Sequence, residues 1–152
     1  MSLKAKLRED LTESIRSRNE LRSSTLRMVL TAITTEEVSG KEARVLTDAE
    51  VITVLTREAK KRREAAEAFE QGGAVDRSQR EKAEGEVIAE YLPSQLSQEE
   101  LNSLIGEAIS TTGAQGPSGM GVVMKYLQPK IAGRADGATV SNAVKTALAK
   151  ST

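Results

Sequence analysis

Apolar residues recur at helical spacing along this chain, and no other feature of the sequence constrains the fold as strongly. Leu3, Leu7, Leu11 and Ile15 stand four positions apart and predict an apolar stripe on a first helix, over about residues 2–17. Residues that favour strands are scarce, since the 152-residue chain has no Trp, two Tyr and one Phe. The sequence therefore predicts an all-α protein.

Start and stop signals divide the helical pattern into segments. Thr47-Asp48-Ala49-Glu50 and Ser97-Gln98-Glu99-Glu100 are capping boxes, in which the first side chain accepts from a backbone amide and the glutamate reaches back. The first box is expected to open a third helix and the second box a fifth helix. Gly72-Gly73 is expected to end the third helix, and Pro93 to end the fourth.

Two further short helices are predicted near the end of the chain. The sixth runs from about Gly119 to Gln128, with Ser118 as its N-cap, and it is expected to stop at Pro129. Asp136 is the expected N-cap of the seventh helix. Together with the fifth helix, these elements predict a three-helix tail.

The segment Pro93-Ser94-Gln95-Leu96 looks like a boundary between the two sets of helices. We predict an N-terminal four-helix domain, residues 1–93, joined by a short hinge to a small three-helix C-terminal tail domain, residues 94–152. A tail of this length is near the lower size limit for independent folding.

Histidine and cysteine are both absent from the chain. Histidine is the usual general base near neutral pH, and both residues are common metal ligands. Ser-His-Asp and Cys-His sites are therefore excluded, whereas a Ser–Lys arrangement stays open. Glu86 and Glu90 share a helix face and are interpreted as solvated surface. We predict no catalytic residue, no metal site and no cofactor, and we expect no catalysis from the chain alone.

Apolar runs in the chain are short. None approaches the roughly 20 residues that span a bilayer, and the first residues lack the apolar stretch of a signal peptide. Together with the absence of cysteine, this predicts a cytoplasmic protein with no membrane partner.

The overall charge is balanced, with 22 basic and 22 acidic residues, so only local asymmetry can indicate a polyanion partner. After Glu107 the only acid is Asp136, which is expected to act locally as an N-cap. The basic residues over the same stretch are Lys125, Lys130, Arg134, Lys145 and Lys150. This excess predicts a modest footprint for a polyanion, although a mildly basic surface without a ligand explains the charge equally well.

The run Lys60-Lys61-Arg62-Arg63 is the densest cluster of basic residues. Glu58–Arg62, Lys60–Glu64 and Arg63–Glu67 are opposite-charge pairs at i,i+4, and this pattern accounts for the run as a solvated helix face. Whether Lys60 and Lys61 also bind RNA stays open.

The shortage of aromatic residues restricts how a nucleic acid could be bound. Proteins that bind single strands stack bases on aromatic rings, and the tail has only Tyr126 for this purpose. A nucleic-acid partner would therefore be recognised through its backbone phosphates and its shape, which favours a folded RNA such as tRNA.

Several motifs point to a known family. The segment Glu90-Tyr91-Leu92-Pro93-Ser94-Gln95-Leu96-Ser97 resembles the boundary motif of the GatB/YqeY family. The segments Met120-Gly121-Val122-Val123-Met124 and Gly133-Arg134-Ala135-Asp136-Gly137 resemble the tail signature of that family. The chain is similar to the free-standing YqeY type, which lacks the large catalytic region of GatB.

The resemblance implies a helical module that binds tRNA, because the tail of GatB contacts the tRNA body in a glutamine-dependent tRNA amidotransferase. It also implies a relation to carbon–nitrogen ligation with glutamine as the amido-N-donor. Amidotransferase subunits are expected partners, and Lys125, Lys130 and Arg134 are the expected RNA contacts in the tail. Gly119 and Val122 stand where the family often has an acidic and a basic residue, which removes one expected phosphate contact.

Two other functions stay open on sequence grounds. The chain could be a protein-interaction subunit of an amidotransferase or of another complex, without direct RNA contact, and an exposed apolar patch would be its signature. It could also be an enzyme in its own right. Gly121, Gly133 and Gly137 are interpreted as positions of close approach, helix ending and turn geometry.

Overall fold

The computed structural model describes residues 1–150, and the part of the chain that it describes is helical with no strand. The prediction of an all-α protein is thus confirmed. The helices, in chain order, are α1 (Leu3–Arg16), α2 (Glu20–Glu37), α3 (Asp48–Gln71), α4 (Val75–Ala89), α5 (Gln98–Thr112), α6 (Met120–Ile131) and α7 (Gly137–Lys150). A short 3-10 turn, Pro117–Gly119, precedes α6.

The helices form two compact units. The first, Met1–Leu92, contains α1 to α4, and the second begins at Pro93 and contains α5 to α7. Each unit has a hydrophobic core of its own. The division into two separate domains, residues 1–93 and residues 94–152, stays a prediction.

The core of the first unit is built from leucine, isoleucine and valine side chains of all four helices. Leu7, Leu26, Ile33, Leu55 and Ile88 are its largest fully buried members. Each side chain of this size stabilises the fold by about 1.5–3 kcal/mol when it is buried. The helices α1 and α2 pack together, as do α3 and α4, and α2 also packs against both members of the second pair.

The stripe predicted on α1 is only partly confirmed. Leu7 is fully buried, and Leu3 and Leu11 pack against the same core, but the Ile15 side chain is 49 % exposed. A spacing of four residues advances 400° around a helix of 3.6 residues per turn, so each step drifts by about 40°. Over the three steps from Leu3 the drift reaches about 120°, and Ile15 therefore leaves the core face.

Tyr91 anchors the end of the first unit. Its hydroxyl donates to Asp10 Oδ2 at 2.5 Å and accepts from Arg22 Nη2 at 2.8 Å, while Arg22 Nη1 donates to Glu90 Oε2 at 2.6 Å. Burial, followed by the hydrogen bond to Asp10, raises the pKa of the Tyr91 phenol. The last helical residue of α4 is Ala89, well before Pro93, so Tyr91 lies in the turn that follows the helix.

The core of the second unit is formed by side chains of α5, α6 and α7. The core includes Leu101 and Ile105 of α5, Val123 and Leu127 of α6, and Val144 of α7. The buried positions repeat every three or four residues along each helix, which is the spacing of a single inward face.

Both predicted capping boxes are confirmed. The Thr47 side chain accepts from the Glu50 amide, and the Glu50 carboxylate accepts from the Thr47 amide at 2.8 Å. The same reciprocal pair joins Ser97 and Glu100 at the start of α5. The prediction for Asp136 is also confirmed, since its Oδ2 accepts from the Thr139 amide at 3.2 Å.

Two expectations for α6 are wrong. The helix does not stop at Pro129 but continues through it to Ile131. The missing proline amide is offset because Ile131 is buried in the core and because the Ala132 amide still donates to the Gln128 carbonyl at 3.1 Å. Ser118 does not cap the helix, since it lies within the 3-10 turn and α6 has no side-chain cap.

Candidate nucleic-acid interface

Lys125 is the cation of α6 that is most available to a ligand. The helix buries Val123 and Leu127 in the core, and Lys125 lies between them in sequence on an exposed part of the surface. Among residues 1–150 the Lys125 ammonium has no hydrogen-bond or ion-pair partner. Its charge is therefore available to a phosphate.

Lys130 is paired, although acids are scarce in the tail. Its Nζ donates to Glu107 Oε1 at 3.1 Å and to the Tyr126 hydroxyl at 3.2 Å, and it lies 4.6 Å from the centroid of the Tyr126 ring. The hydrogen bonds with Tyr126 and then with Glu107 raise the pKa of Lys130. The Lys130 and Tyr126 hydrogen bonds lower the pKa of Glu107. A phosphate would have to compete with this carboxylate for Lys130.

Arg134 has a structural contact as well as a charge. Its Nε donates to the Ser94 carbonyl at 2.9 Å, and its own carbonyl accepts from the Leu96 amide at 2.9 Å. Gln95 Nε2 adds a third bond to the Gly133 carbonyl at 2.8 Å. These bonds tie the start of the second unit to the turn between α6 and α7. The two terminal nitrogens of Arg134 have no partner in the described part of the chain, so they are available to a ligand.

Lys60 and Lys61 lie on α3 in the first unit, whereas Lys125, Lys130 and Arg134 belong to the second. Lys61 Nζ lies 3.2 Å from Glu58 Oε1, and Lys60 Nζ lies 4.0 Å from Glu64 Oε1. The predicted Lys60–Glu64 pair is therefore confirmed.

The other two ion pairs predicted for this basic run have different outcomes. Arg62 turns inward and donates to Glu58 Oε2 at 2.8 Å, with its side chain only 11 % exposed. Arg63 makes no ion pair with Glu67 within the described residues, so that prediction is wrong. Because Arg62 turns inward and is paired, the four basic residues do not form a continuous cationic surface.

A polar groove between α5 and α7 was not predicted. It has a volume of about 630 Å³, and its hydrogen-bonding residues are Gln98, Asn102, Thr139, Asn142 and Thr146, with Lys150 at one end. Within residues 1–150, no carboxylate lines it. The signal was present in the sequence, because the α7 members recur at helical spacing on the side away from the buried valines.

The roles expected for the glycines of the tail motifs are confirmed only in part, at Gly133, which follows the C-cap of α6. Gly133 has a φ of +73°, so its turn requires glycine. Among the described residues, a Cβ on Gly121 or Gly137 would meet nothing within 4 Å, so neither glycine is needed for close approach to residues 1–150. Gly119 does serve close approach, since a Cβ there would lie 2.7 Å from the Ala114 Cβ.

The structure shows no group of three or more acidic side chains placed to hold a metal ion, within residues 1–150. In the same part of the chain, no helix combines the length and the apolar character needed to cross a bilayer.

The fold and this surface define a two-unit helical protein whose second unit presents separate cations and a polar groove. The chain belongs to the YqeY-like family, since the family model for Yqey-like proteins matches residues 4–148. It is also 32 % identical over 96 residues to an uncharacterized protein of Schizosaccharomyces pombe, an alignment that covers 63 % of this chain and 76 % of that relative.

Proposed function

We propose that the second unit binds a folded RNA, with tRNA as the expected class. The observation that carries the proposal is the set of exposed lysines that have no acidic partner within residues 1–150, namely Lys125, Lys145 and Lys150. Exposed lysines that are not paired within the protein are the groups that replace counterions on phosphates.

The polar groove supplies the second part of the proposal. The Asn142 amide has no partner within residues 1–150, so it can both donate to a phosphate oxygen and accept from a ribose hydroxyl. Thr139 and Thr146 donate to Asp136 and to the Asn142 carbonyl, so their oxygens remain only as acceptors. Tyr126 does not offer an open stacking surface, because its hydroxyl contacts Glu107 and Lys130 lies over its ring. Binding would therefore depend on the RNA backbone and its shape.

The proposed relation to tRNA amidation follows from the resemblance to the tail of GatB. In this proposal the chain holds tRNA in the cytoplasm, and other subunits of an amidotransferase carry out the carbon–nitrogen ligation with glutamine as the amide donor. The chain itself lacks histidine and cysteine, and we propose that it is not catalytic alone. Glutamine-dependent amidation of Glu-tRNA or Asp-tRNA by the isolated chain would contradict this.

Salt dependence of binding tests the proposal. We expect the affinity for a tRNA transcript, measured by fluorescence anisotropy, to fall about 40-fold between 50 and 200 mM salt if three phosphates are neutralised. Replacing Lys125, Lys130 and Arg134 together by Ala should weaken binding and flatten the salt dependence.

The control variant is Arg63→Ala, because Arg63 is an exposed arginine of the first unit without a partner in the described residues. It should bind tRNA as the unmodified protein does. Equal binding by the triple variant would remove these residues from the site, and an absence of tRNA binding by the unmodified protein would overturn the proposed function.

A protein-interaction subunit without RNA contact is the second candidate. Val122 on α6 favours it, because this apolar side chain is 55 % exposed. Val122→Ser would then weaken the co-purification of amidotransferase subunits while it leaves the anisotropy of labelled tRNA unchanged.

A further inference from the structure

A groove of about 480 Å³ runs along the outer side of α2 in the first unit, with Leu11 of α1 on its other wall. The lining residues of α2 and its C-cap begin at Arg27 and end at Val38, at positions i, i+3, i+4, i+7, i+8 and i+11. They follow one face of the helix for three turns, a length of about 16 Å. The groove is thus long enough for about three turns of a second helix.

The floor of this groove is apolar. Leu11 and Leu30 line it, and Val38 at its end is 59 % exposed. Thr34 Oγ1 donates to the Leu30 carbonyl at 3.0 Å and Thr35 Oγ1 donates to the Thr31 carbonyl at 2.9 Å. These hydroxyls are satisfied within α2 and need no partner from a ligand.

Among residues 1–150, one charged side chain lines the groove, and it is a cation, Arg27. No carboxylate lines it, and the exposed Arg27 has no hydrogen-bond or ion-pair partner within residues 1–150. The first unit as a whole has 18 acidic and 17 basic residues, so the positive groove is a local feature.

We infer that this groove docks an amphipathic helix of a partner protein, with apolar residues at i, i+3 or i+4, and i+7 and with carboxylates beside them. The apolar floor matches the apolar stripe of such a helix, and Arg27 matches its carboxylates. An RNA backbone would meet a mostly apolar surface here, because the threonine methyl groups add to Leu11, Leu30 and Val38. A second copy of this chain, docked by the same face, would bring Arg27 of both copies into one interface, where like charges repel.

The test uses the full chain and two synthetic 15-residue peptides. Both peptides carry Leu at i, i+3, i+7 and i+11 on a helix-forming background, and the flanking charges are all Glu in one and all Lys in the other. Affinity is measured by fluorescence anisotropy, and the binding site is mapped by backbone amide chemical shifts. We expect the Glu peptide to bind about tenfold more tightly than the Lys peptide, with shifts at Leu30, Thr34 and Val38.

A charge-swap variant and its control sharpen the test. Arg27→Glu should reverse the preference between the two peptides, and it should not unfold the protein because Arg27 is exposed and unpaired. Arg63→Glu, which places the same change on α3, should leave both affinities unchanged. Thr34→Arg should block both peptides by filling the groove.

Several results would overturn the inference. No binding of the Glu peptide, or equal binding of both peptides, would remove the acidic helix as the occupant. Loss of tRNA binding in Arg27→Glu would assign the face to RNA. A dimer in sedimentation that disappears in Thr34→Arg would assign the face to a second copy of the chain. The peptide affinities do not depend on the RNA site proposed for the second unit, so the two proposals can fail separately.

Discussion

Lys130 Nζ and Glu107 Oε1 lie 3.1 Å apart, and this contact joins α6 to α5 on the surface of the second unit. The tail has few acids, and the structure places one of them against a cation that sequence reasoning had assigned to RNA. The pair makes the cations of this surface unequal. Lys125 is available to a phosphate, whereas Lys130 is held by a carboxylate.

Removing the Glu107 charge should strengthen RNA binding. In Glu107→Gln the Lys130 ammonium loses its carboxylate partner, and one negative charge leaves the surface. We expect the affinity for tRNA at 100 mM salt to rise about twofold to fivefold, with a steeper salt dependence. Glu99→Gln, which removes a carboxylate from the first turn of α5, is the control. Weaker binding by Glu107→Gln would contradict the proposed role of this surface.

RNA binding should change little between pH 5.5 and pH 8.5. The pKa of Glu107 is lowered by Lys130 and Tyr126, and the pKa of Lys130 is raised by Tyr126 and Glu107. The Glu107 carboxylate therefore loses its charge only below its ordinary pKa of 4.5. The Lys130 ammonium loses its charge only above its ordinary pKa of 10.5. The chain also has no histidine to titrate within this window. A tenfold change in anisotropy-derived affinity across the window would contradict the assignment.

Gly106→Ala should stabilise the second unit. Gly106 lies inside α5, and a Cβ there would meet nothing within 4 Å. Alanine loses less conformational freedom on folding, so we expect a gain of about 0.5–1 kcal/mol in the free energy of unfolding, measured with urea. Gly113→Ala is the matched control and should destabilise, because Gly113 ends the same helix with a φ of +68°. Destabilisation by Gly106→Ala would contradict the open space beside Gly106, because the added methyl group would then have to contact a neighbour.

Tyr91→Phe should destabilise the first unit. It removes the hydroxyl that donates to Asp10 and accepts from Arg22, and it leaves these two partners without that contact. We expect a loss of about 1–3 kcal/mol in the free energy of unfolding. Tyr126→Phe should have a smaller effect, because its hydrogen bonds lie on the exposed surface. Similar losses in the two variants would argue against Tyr91 as the anchor of this unit.

Local signals in the sequence predicted much of the secondary structure. The capping boxes at Thr47 and Ser97 and the cap at Asp136 each join residues three positions apart, so the sequence pattern and the structure agree. The helix through Pro129 was mispredicted, because burial of Ile131 outweighs the local preference of proline. Ile15 was misplaced because a four-residue repeat rotates away from the core.

The sequence predicted which residues belong to the candidate site, but it did not predict which of them are paired within the protein. Lys125, Lys130 and Arg134 lie within the local excess of positive charge and were expected as RNA contacts from the family resemblance. Their availability depends on partners that are far away in the sequence. Glu107 precedes Lys130 by 23 residues and Ser94 precedes Arg134 by 40, and nothing in either local pattern indicates these contacts. The groove beside α2 depends in the same way on Leu11, which belongs to another helix.

The sequence by itself determined that this protein is helical and where most of its helices begin. It also determined that no site in the protein uses a histidine or cysteine side chain. These properties depend on helical periodicity, on capping over one turn and on composition, and all three are readable along the chain. Only the tertiary structure decided which cations are paired, which glycines are needed and where the grooves lie. Those properties depend on distances between side chains of different helices, and packing of the two cores sets these distances.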